Sequence, residues 1–303
     1  MTSTLERIEL YPQESKILIR IKYEDFITLV ALAEKRHLEK QAEIEKRKIR
    51  LIASGGECKA EMTPKEGVCL CLVDLRQKPT FETLGLLFDL WRTKANNTFH
   101  YWVEILRKIL PVSQIEEAKR DKQKYQELWE GMSQFILINN RYAEKAIEKP
   151  GDYQEQEKYY SCKKKTHTLK NQFRVLPGGE DIVDIYIGQL GKISDTTVFR
   201  NNCQNLDAKE RFLGDKAYIG EEFITTPYKK PKKAELSEIS KEENKKISSR
   251  RIDVEHLICR GTTFRVASDR FPLAGHGYNP VIMAVCGLVG LDLNYSFILN
   301  HNI

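Results

Sequence analysis

The sequence predicts two architectures in one chain: an all-α part first, then an α/β layered part. Three observations carry this. Between Tyr23 and Leu110 apolar residues recur at intervals of three and four, the spacing of one helix face, and capping residues, Pro and Gly cut the segment into helices. From Phe135 to Leu213 short apolar runs enclose one helical segment, the order of an α/β layer fold. A long charged helix near Glu235 and a short apolar run, Val281 to Leu291, follow. The chain has 303 residues and 41% hydrophobic content, enough for a real core in one large or two smaller domains.

Tyr23 to Leu51 reads as a long helix. Phe26, Leu29, Val30 and Ala33 give it one apolar stripe. Beyond Ala33 the segment is mostly Glu, Lys, Arg and Gln, with pairs such as Arg36–Glu39 and Glu43–Arg47 that suit a solvated helix. Ser54-Gly55-Gly56 ends it. Thr63-Pro64-Lys65-Glu66 then has the form of a capping box with Pro at the first helical position, opening a helix over Gly67 to Arg76. Thr80 caps a short helix, Phe81 to Phe88, with Leu84, Leu87 and Phe88 facing in. After a break at 89–92, Thr93 is expected to cap Lys94 to Leu110, with Phe99, Trp102, Val103, Leu106 and Leu110 facing in. Two helices around a short turn have the shape of a helix-turn-helix, and equally of any helical hairpin. The first turn of the second helix carries Lys94, Asn96, Asn97 and His100, side chains suited to phosphates and base edges in a major groove.

Ile115 to Met132 reads as a charged helical linker. Phe135 to Ile138, the basic stretch Tyr159 to Phe173, and Ile182 to Ile187 read as strands. Ser194 caps a helix from Asp195 towards Cys203, and Arg211-Phe212-Leu213 is a last short strand. Strand, strand, strand, helix, strand and a later long helix is the order of a ribonuclease-H-like domain. The expected divisions are a helical arm over 1–55, a helix-turn-helix domain over 56–114, the linker over 115–133, the α/β domain over 134–290 and a tail over 291–303.

A net charge of +6 fits a polyanionic partner without requiring one. Seven cysteines without CxxC spacing exclude the usual zinc sites and read as reduced thiols of a cytosolic protein. The polar N-terminus is expected to carry no signal peptide, and Val281–Leu291 is too short to span a bilayer. Trp91, Trp102 and Trp129 lie at helical spacing and are expected in the core.

Two carboxylates stand out: Asp215 in Gly214-Asp215-Lys216-Ala217-Tyr218-Ile219-Gly220, just past a strand, and Glu255 in Arg250-Arg251-Ile252-Asp253-Val254-Glu255-His256, on a basic helix. Taken singly, each reads as an ordinary surface acid. Strand ends and one helix face are also how distant acids converge on hard divalent ions, which prefer carboxylate oxygens. Arg251, four residues before Glu255, lies on the same helical face and suits a phosphate or the glutamate itself. Lys163, Lys164 and Lys165 suit backbone phosphates. His167 and His256 read as DNA contacts rather than metal ligands.

These motifs, with Tyr159-Tyr160-Ser161-Cys162-Lys163-Lys164-Lys165-Thr166-His167-Thr168-Leu169-Lys170 before them and Thr225-Thr226-Pro227-Tyr228-Lys229-Lys230-Pro231 between them, together resemble DDE transposases. Within these the resemblance is to the bacterial insertion-sequence group numbered five, related to the Harbinger superfamily. Phe81 to Leu110 resembles the helix-turn-helix preceding the catalytic domain in that family. The resemblance implies that Asp215 and Glu255 are the second and third carboxylates of a metal-binding triad, with Arg251 in the family's Arg-x-x-x-Glu pattern. It implies Mg²⁺ as the cofactor with Mn²⁺ as the alternative, terminal inverted repeats and target DNA as double-stranded partners, a homo-oligomer on DNA, and a bacterial cytoplasm with the nucleoid as the location. The first carboxylate is expected three residues before Glu144, where this chain has Arg141 with Asn139 and Asn140 beside it. Cys162, Thr166, Cys259 and Thr262 also depart from the pattern. Such departures point to a degenerate copy; Asn139, Asn140 or Asp184 are the candidates to replace the missing acid. The competing reading is a DNA-binding protein without catalysis.

Overall fold

The computed structural model describes residues 3–47, 62–119, 137–176, 182–202, 212–231, 235–272 and 277–293, with the backbone alone at 137–143 and Asp253. Expectations for Ser54–Gly56, Trp129 and the body of the linker fall outside the described residues. The chain divides into two compact units, Met1–Leu110 with Phe264–Val266, and Pro111–Thr263 with Ala267–Ile303.

The first unit is all α. Helices α1 (Thr4–Leu10), α2 (Ser15–Leu18), α3 (Tyr23–Arg47), α4 (Pro64–Gln77), α5 (Phe81–Phe88) and α6 (Arg92–Ile109) build it, with a 3₁₀ turn at Pro12–Glu14. The Thr63–Glu66 capping box forms, and a second, Ser3–Glu6, opens α1. Each cap contributes about 1 kcal/mol by satisfying N–H groups that a helix start leaves bare. Helix α4 is buried from Gly67 to Leu75, so it is the centre on which α3 and α6 pack. Gly67 permits this: a Cβ there would lie 2.0 Å from Trp102 Nε1. Cys69 and Cys71 are buried free thiols. Along the exposed half of α3, Arg36 binds both Glu39 and Glu43, at 3.0 and 3.1 Å.

Two expectations here are overturned. Helix α6 starts at Arg92, not at Lys94: Trp91 is the N-cap and its carbonyl accepts from Ala95 N at 2.9 Å, which leaves Thr93 inside the first turn. Leu87 and Trp91, expected inside, are 44% and 88% exposed. The left-handed backbone of Asp89 turns the chain sharply after α5 and carries Trp91 away from the face that Trp102 occupies.

The second unit is α/β. It contains α7 (Gln114–Ala118), β1 (Leu137–Ala146), α8 (Tyr153–Tyr159), β2 (Tyr160–Ser161), β3 (Thr166–Val175), β4 (Ile182–Leu190), α9 (Asp195–Asn202), β5 (Phe212–Leu213), β6 (Ile224–Thr225), α10 (Glu238–Thr262) and, after the short α11 (Arg265–Ser268) whose residues are divided between the two units, α12 (Tyr278–Asp292). Strand β1 pairs antiparallel with β3 and parallel with β5; β3 pairs antiparallel with β4 and with the short β2, and β5 pairs parallel with β6. The main order is therefore β4–β3–β1–β5–β6.

Helices cover both faces. On one, Ile115, Val183, Phe199, Phe212, Tyr218 and Ile224 form a buried cluster between the sheet and helices α7 and α9. Ile115, at the start of the expected linker, thus belongs to the α/β core. On the other face lie α10, against β1, and α12, against β4. Asn171 Nδ2 donates to Tyr278 Oη at 2.9 Å and Arg174 Nη2 donates to Asn202 O at 3.1 Å, so two residues of β3 three apart reach α12 and α9 on opposite sides. Helix α12 is the Val281–Leu291 apolar run, buried throughout its second half. The stretch Tyr159–Phe173 is not one strand: it is the end of α8, β2, a turn over 162–165 and β3.

Two outcomes follow from the helical unit. Gly67→Ala forces the Trp102 indole to move and is expected to cost about 1–3 kcal/mol, read as a lowered Tm. Asp74 is 5% exposed, and burial, partly offset by Lys78, pushes its carboxyl up to about 7. The unfolded chain releases that proton near pH ~4, so the folded state holds it to higher pH. Stability from this group is present at low pH and is lost as pH rises from about 4 to about 7. Asp74→Asn should raise Tm above pH 7 and leave it unchanged near pH 4, as thermal unfolding across that range will measure.

Candidate active site and nucleic-acid interface

Asp215 sits just beyond β5, where strand backbone turns into a 3₁₀ turn, Lys216–Tyr218. It is 7% exposed, and its Oδ1 accepts from Ala217 N at 2.8 Å, which makes it the N-cap of that turn and fixes its carboxylate. Gly214 makes the approach possible: a Cβ there would lie 2.5 Å from Ile224 Cγ2 and 3.0 Å from Tyr218 Cδ2. Tyr218 fills the core beneath, edge-on to Phe199 at 5.9 Å between ring centroids. The motif around Asp215 is thus a strand end held rigid from below.

Glu255 lies on α10. Val254 and Leu257 bury the sheet-facing stripe of this helix, and Glu255 stands beside that stripe with 62% of its side chain exposed. Arg251 lies one turn earlier with only 18% exposed, and its Nη2 is 3.9 Å from Glu255 Oε1, too long for a hydrogen bond. Its Nε is buried without a hydrogen-bond partner among the described residues. A half-buried guanidinium with an unsatisfied Nε among the described residues, beside an exposed acid, suits an anion arriving at this face.

Both acids are therefore mounted on elements that touch β1: β5 by pairing, α10 by packing. The register adds detail. Ile138 pairs with Leu213, and Asp215 is two residues further on, so the same parallel register brings the level of Asp215 to Asn140. Immediately afterwards the β1–β3 ladder shifts: Asn140 pairs with Phe173, but Ala143 pairs with Asn171. One extra residue is accommodated in β1, a β-bulge that takes in Arg141, and bulges of this kind recur next to active sites.

Asp184, one of the candidates for the first carboxylate, is bonded within the sheet. Its Oδ2 accepts from Arg174 Nη1 at 3.1 Å and its Oδ1 from Ile185 N at 2.9 Å. It lies on β4, with β3 and β1 between it and β5. The pair is structural: Arg174 is 3% exposed and also packs over the Phe212 ring.

Among the described residues no group of three His, Cys, Asp or Glu side chains is placed to hold a metal ion. Asp215 and Glu255 supply the hard oxygen donors that Mg²⁺ or Mn²⁺ prefers, so the donor chemistry fits, one carboxylate short of a triad.

The basic groups fall in two places. Lys163, Lys164 and Lys165 are all exposed on the turn joining β2 to β3, where Lys165 has φ of 53° and its N–H donates to Ser161 O at 2.7 Å. In the helical unit Lys94, Asn97 and His100 are exposed on α6 and Asn96 is half-buried. His100 lies against Phe81 and Phe99, and burial pushes its imidazole below the ordinary value.

An exposed-faced helical hairpin in an all-α unit, joined to an α/β unit with acids beside its central strand, is the outline of a DNA-binding module attached to an endonuclease domain. A family model described as "DDE superfamily endonuclease" matches residues 143–289, and one described as "Helix-turn-helix of DDE superfamily endonuclease" matches 60–111. The probable transposase for insertion sequence element IS702, from Microchaete diplosiphon, is 31% identical over 149 residues, 48% of this chain and 53% of that protein. The match thus spans about half the length of this curated relative. No solved structure matches the chain. Over these two segments the chain carries the helix-turn-helix and the endonuclease domain of the DDE superfamily, whose endonucleases use divalent metals. No described helix is long and apolar enough to cross a membrane.

The Arg174–Asp184 pair yields a clean test of its structural role. Asp184→Ala leaves the Arg174 guanidinium buried without its counter-charge and should cost on the order of 3 kcal/mol, measured as a lowered denaturation midpoint. A Tm equal to wild type would show that Asp184 does not anchor the sheet.

Proposed function

We propose that this protein is a transposase that binds the terminal inverted repeats of its element and cuts and joins DNA strands, in a copy impaired by loss of its first carboxylate. The observation that carries the reading is Asp215, rigidly capped at the end of β5 and beside β1, in a segment matched by the endonuclease family model. The order β4–β3–β1–β5–β6, with two antiparallel pairings followed by two parallel ones, supports a ribonuclease-H-like fold. The motifs around Asp215 and Glu255 support the group numbered five.

In this reading Asp215 and Glu255 hold Mg²⁺, or Mn²⁺ in its place; such ions activate the attacking oxygen and stabilise the leaving one. The Ala217 N–H fixes one oxygen of Asp215 and so orients the other. Arg251 holds a phosphate at the face of α10, or orients Glu255. Lys163, Lys164 and Lys165 neutralise flanking phosphates, a contribution that falls with salt. The first turn of α6, with Lys94, Asn96, Asn97 and His100, reads the repeat. Two copies on paired ends, in the bacterial cytoplasm at the nucleoid, complete the assembly.

Loss of one negative ligand weakens ion binding, since each charge helps hold the dication. A second reading, a DNA-binding protein without catalysis, is supported by Arg141 at the position where the resemblance expects the first carboxylate.

A duplex carrying the element's terminal repeat, incubated with Mg²⁺ or Mn²⁺, separates the two. The transposase reading expects weak strand cleavage that Asp215→Ala abolishes. Asn140→Asp and Arg141→Asp, tested separately, should raise Mn²⁺ affinity and cleavage about tenfold or more at whichever position replaces the lost ligand. Repeat binding with no cleavage in any of these proteins, and no gain in Mn²⁺ binding by titration, would establish the non-catalytic reading.

A further inference from the structure

We infer that Trp91, with Leu86 beside it in the same corner, is an apolar contact to thymine methyl groups in the major groove. The inference rests on the reading of α5–α6 as a DNA-binding helix-turn-helix. Trp91 is 88% exposed and Leu86 85%, the two most exposed apolar side chains of the helical unit, and Leu87 adds a third at 44%. Single exposed apolar residues need no explanation, but a tryptophan and two leucines within six residues do.

These side chains are not on a loose loop. Leu90 N donates to Gly85 O at 2.8 Å, the α5 C-cap Asp89 has a left-handed backbone, and Arg92 Nε reaches Glu82 Oε1 at 2.9 Å across the corner. The corner is rigid, so the apolar groups are presented at little entropic cost to a partner.

The chemistry around them selects the partner. Trp91 is the N-cap of α6, and its side chain makes no cap hydrogen bond to the first turn. That turn contains no acid, and Arg92 and Lys94 lie in it. A positive helix end next to an apolar face is complementary to a groove edged with phosphates and floored with base edges. In the major groove the one apolar feature of a base pair is the thymine C5-methyl. An indole offers a large apolar face and one N–H donor to it. A second copy of this chain, docking through the same leucines, would have to bury that positive helix end against its own image.

The test uses the full chain and the duplex most enriched by it from a randomised 20-base-pair library. Each thymine is replaced in turn by uracil, which removes only the methyl. Wild type is expected to lose about fivefold or more in affinity at one or two thymines; Trp91→Ala should bind about tenfold more weakly and show no penalty at those positions. Its Tm should equal wild type, since the side chain is exposed, and Trp91→Phe should recover part of the affinity. Unchanged affinity and unchanged uracil penalties in Trp91→Ala would overturn the inference, as would a loss of self-association without DNA and with affinity intact, which would assign the patch to a second copy. Failure of the underlying reading looks different: no duplex is enriched, or Arg92→Ala and Lys94→Ala bind like wild type, and the inference falls with it.

Discussion

Everything at the candidate active site depends on how β1 is held. It is the one strand that pairs antiparallel on one edge and parallel on the other, and α10 packs against it. The antiparallel edge is long and built from neighbouring sequence. The parallel edge is two residues long and needs α9 as a crossover, as parallel pairing always requires. Asp215 follows that short edge directly. Its position is therefore only as good as the cluster beneath, where Phe199, Phe212 and Tyr218 pack edge to face, and as the cap it makes to Ala217. The carboxylate is in this way a structural group whatever else it does, and its substitution by alanine removes the cap together with the charge. Asparagine keeps the cap acceptor and removes only the charge.

The buried charges of the sheet divide the same way. Arg174 spans from Asp184 to the carbonyl of Asn202, tying β3 and β4 to α9. Lys170, Nζ donating to Ile193 O at 2.6 Å and to Asp195 Oδ1 at 3.0 Å, ties β3 to the start of the same helix. These pairs lie on the face away from α10 and hold the crossover helix. Arg251 is on the other face and more open, with 18% of its side chain exposed against 4% for Arg174. Its neighbour Glu255 is too far for a direct bond. Arg174 and Lys170 are ion-paired inside the fold, whereas Arg251 and Glu255 stand nearer the surface with no direct hydrogen bond between them.

The bulge in β1 changes how the missing acid is viewed. Counting back from Glu144 leads to Arg141. Counting forward along the parallel ladder from Ile138 leads to Asn140. The two counts differ by one, and both end at the edge of the stretch where the β1–β3 register shifts. An asparagine carbonyl is a neutral, weaker oxygen donor than a carboxylate, whereas an arginine repels a dication, so the two positions differ in what they could offer a metal ion.

The sequence alone determined the local elements, because they rest on short-range rules: the Thr63–Glu66 box, the Thr80 and Ser194 caps, the stripe Phe26–Ala33, and the apolar α12 are all readable at spacings of three or four residues. It also determined the family, since its motifs are contiguous strings. What it left undecided depends on long-range pairing or on which way a corner turns. Asp184 and Asp215 look alike as acids near strand ends, and only the strand order puts one beside β1 and the other two strands away with its own arginine. Trp91 and Trp102 share a helical spacing, and only the left-handed turn at Asp89 sends one to solvent while the other closes over Gly67. Periodicity fixes which face a residue lies on within its own helix; it carries no information about what, if anything, covers that face.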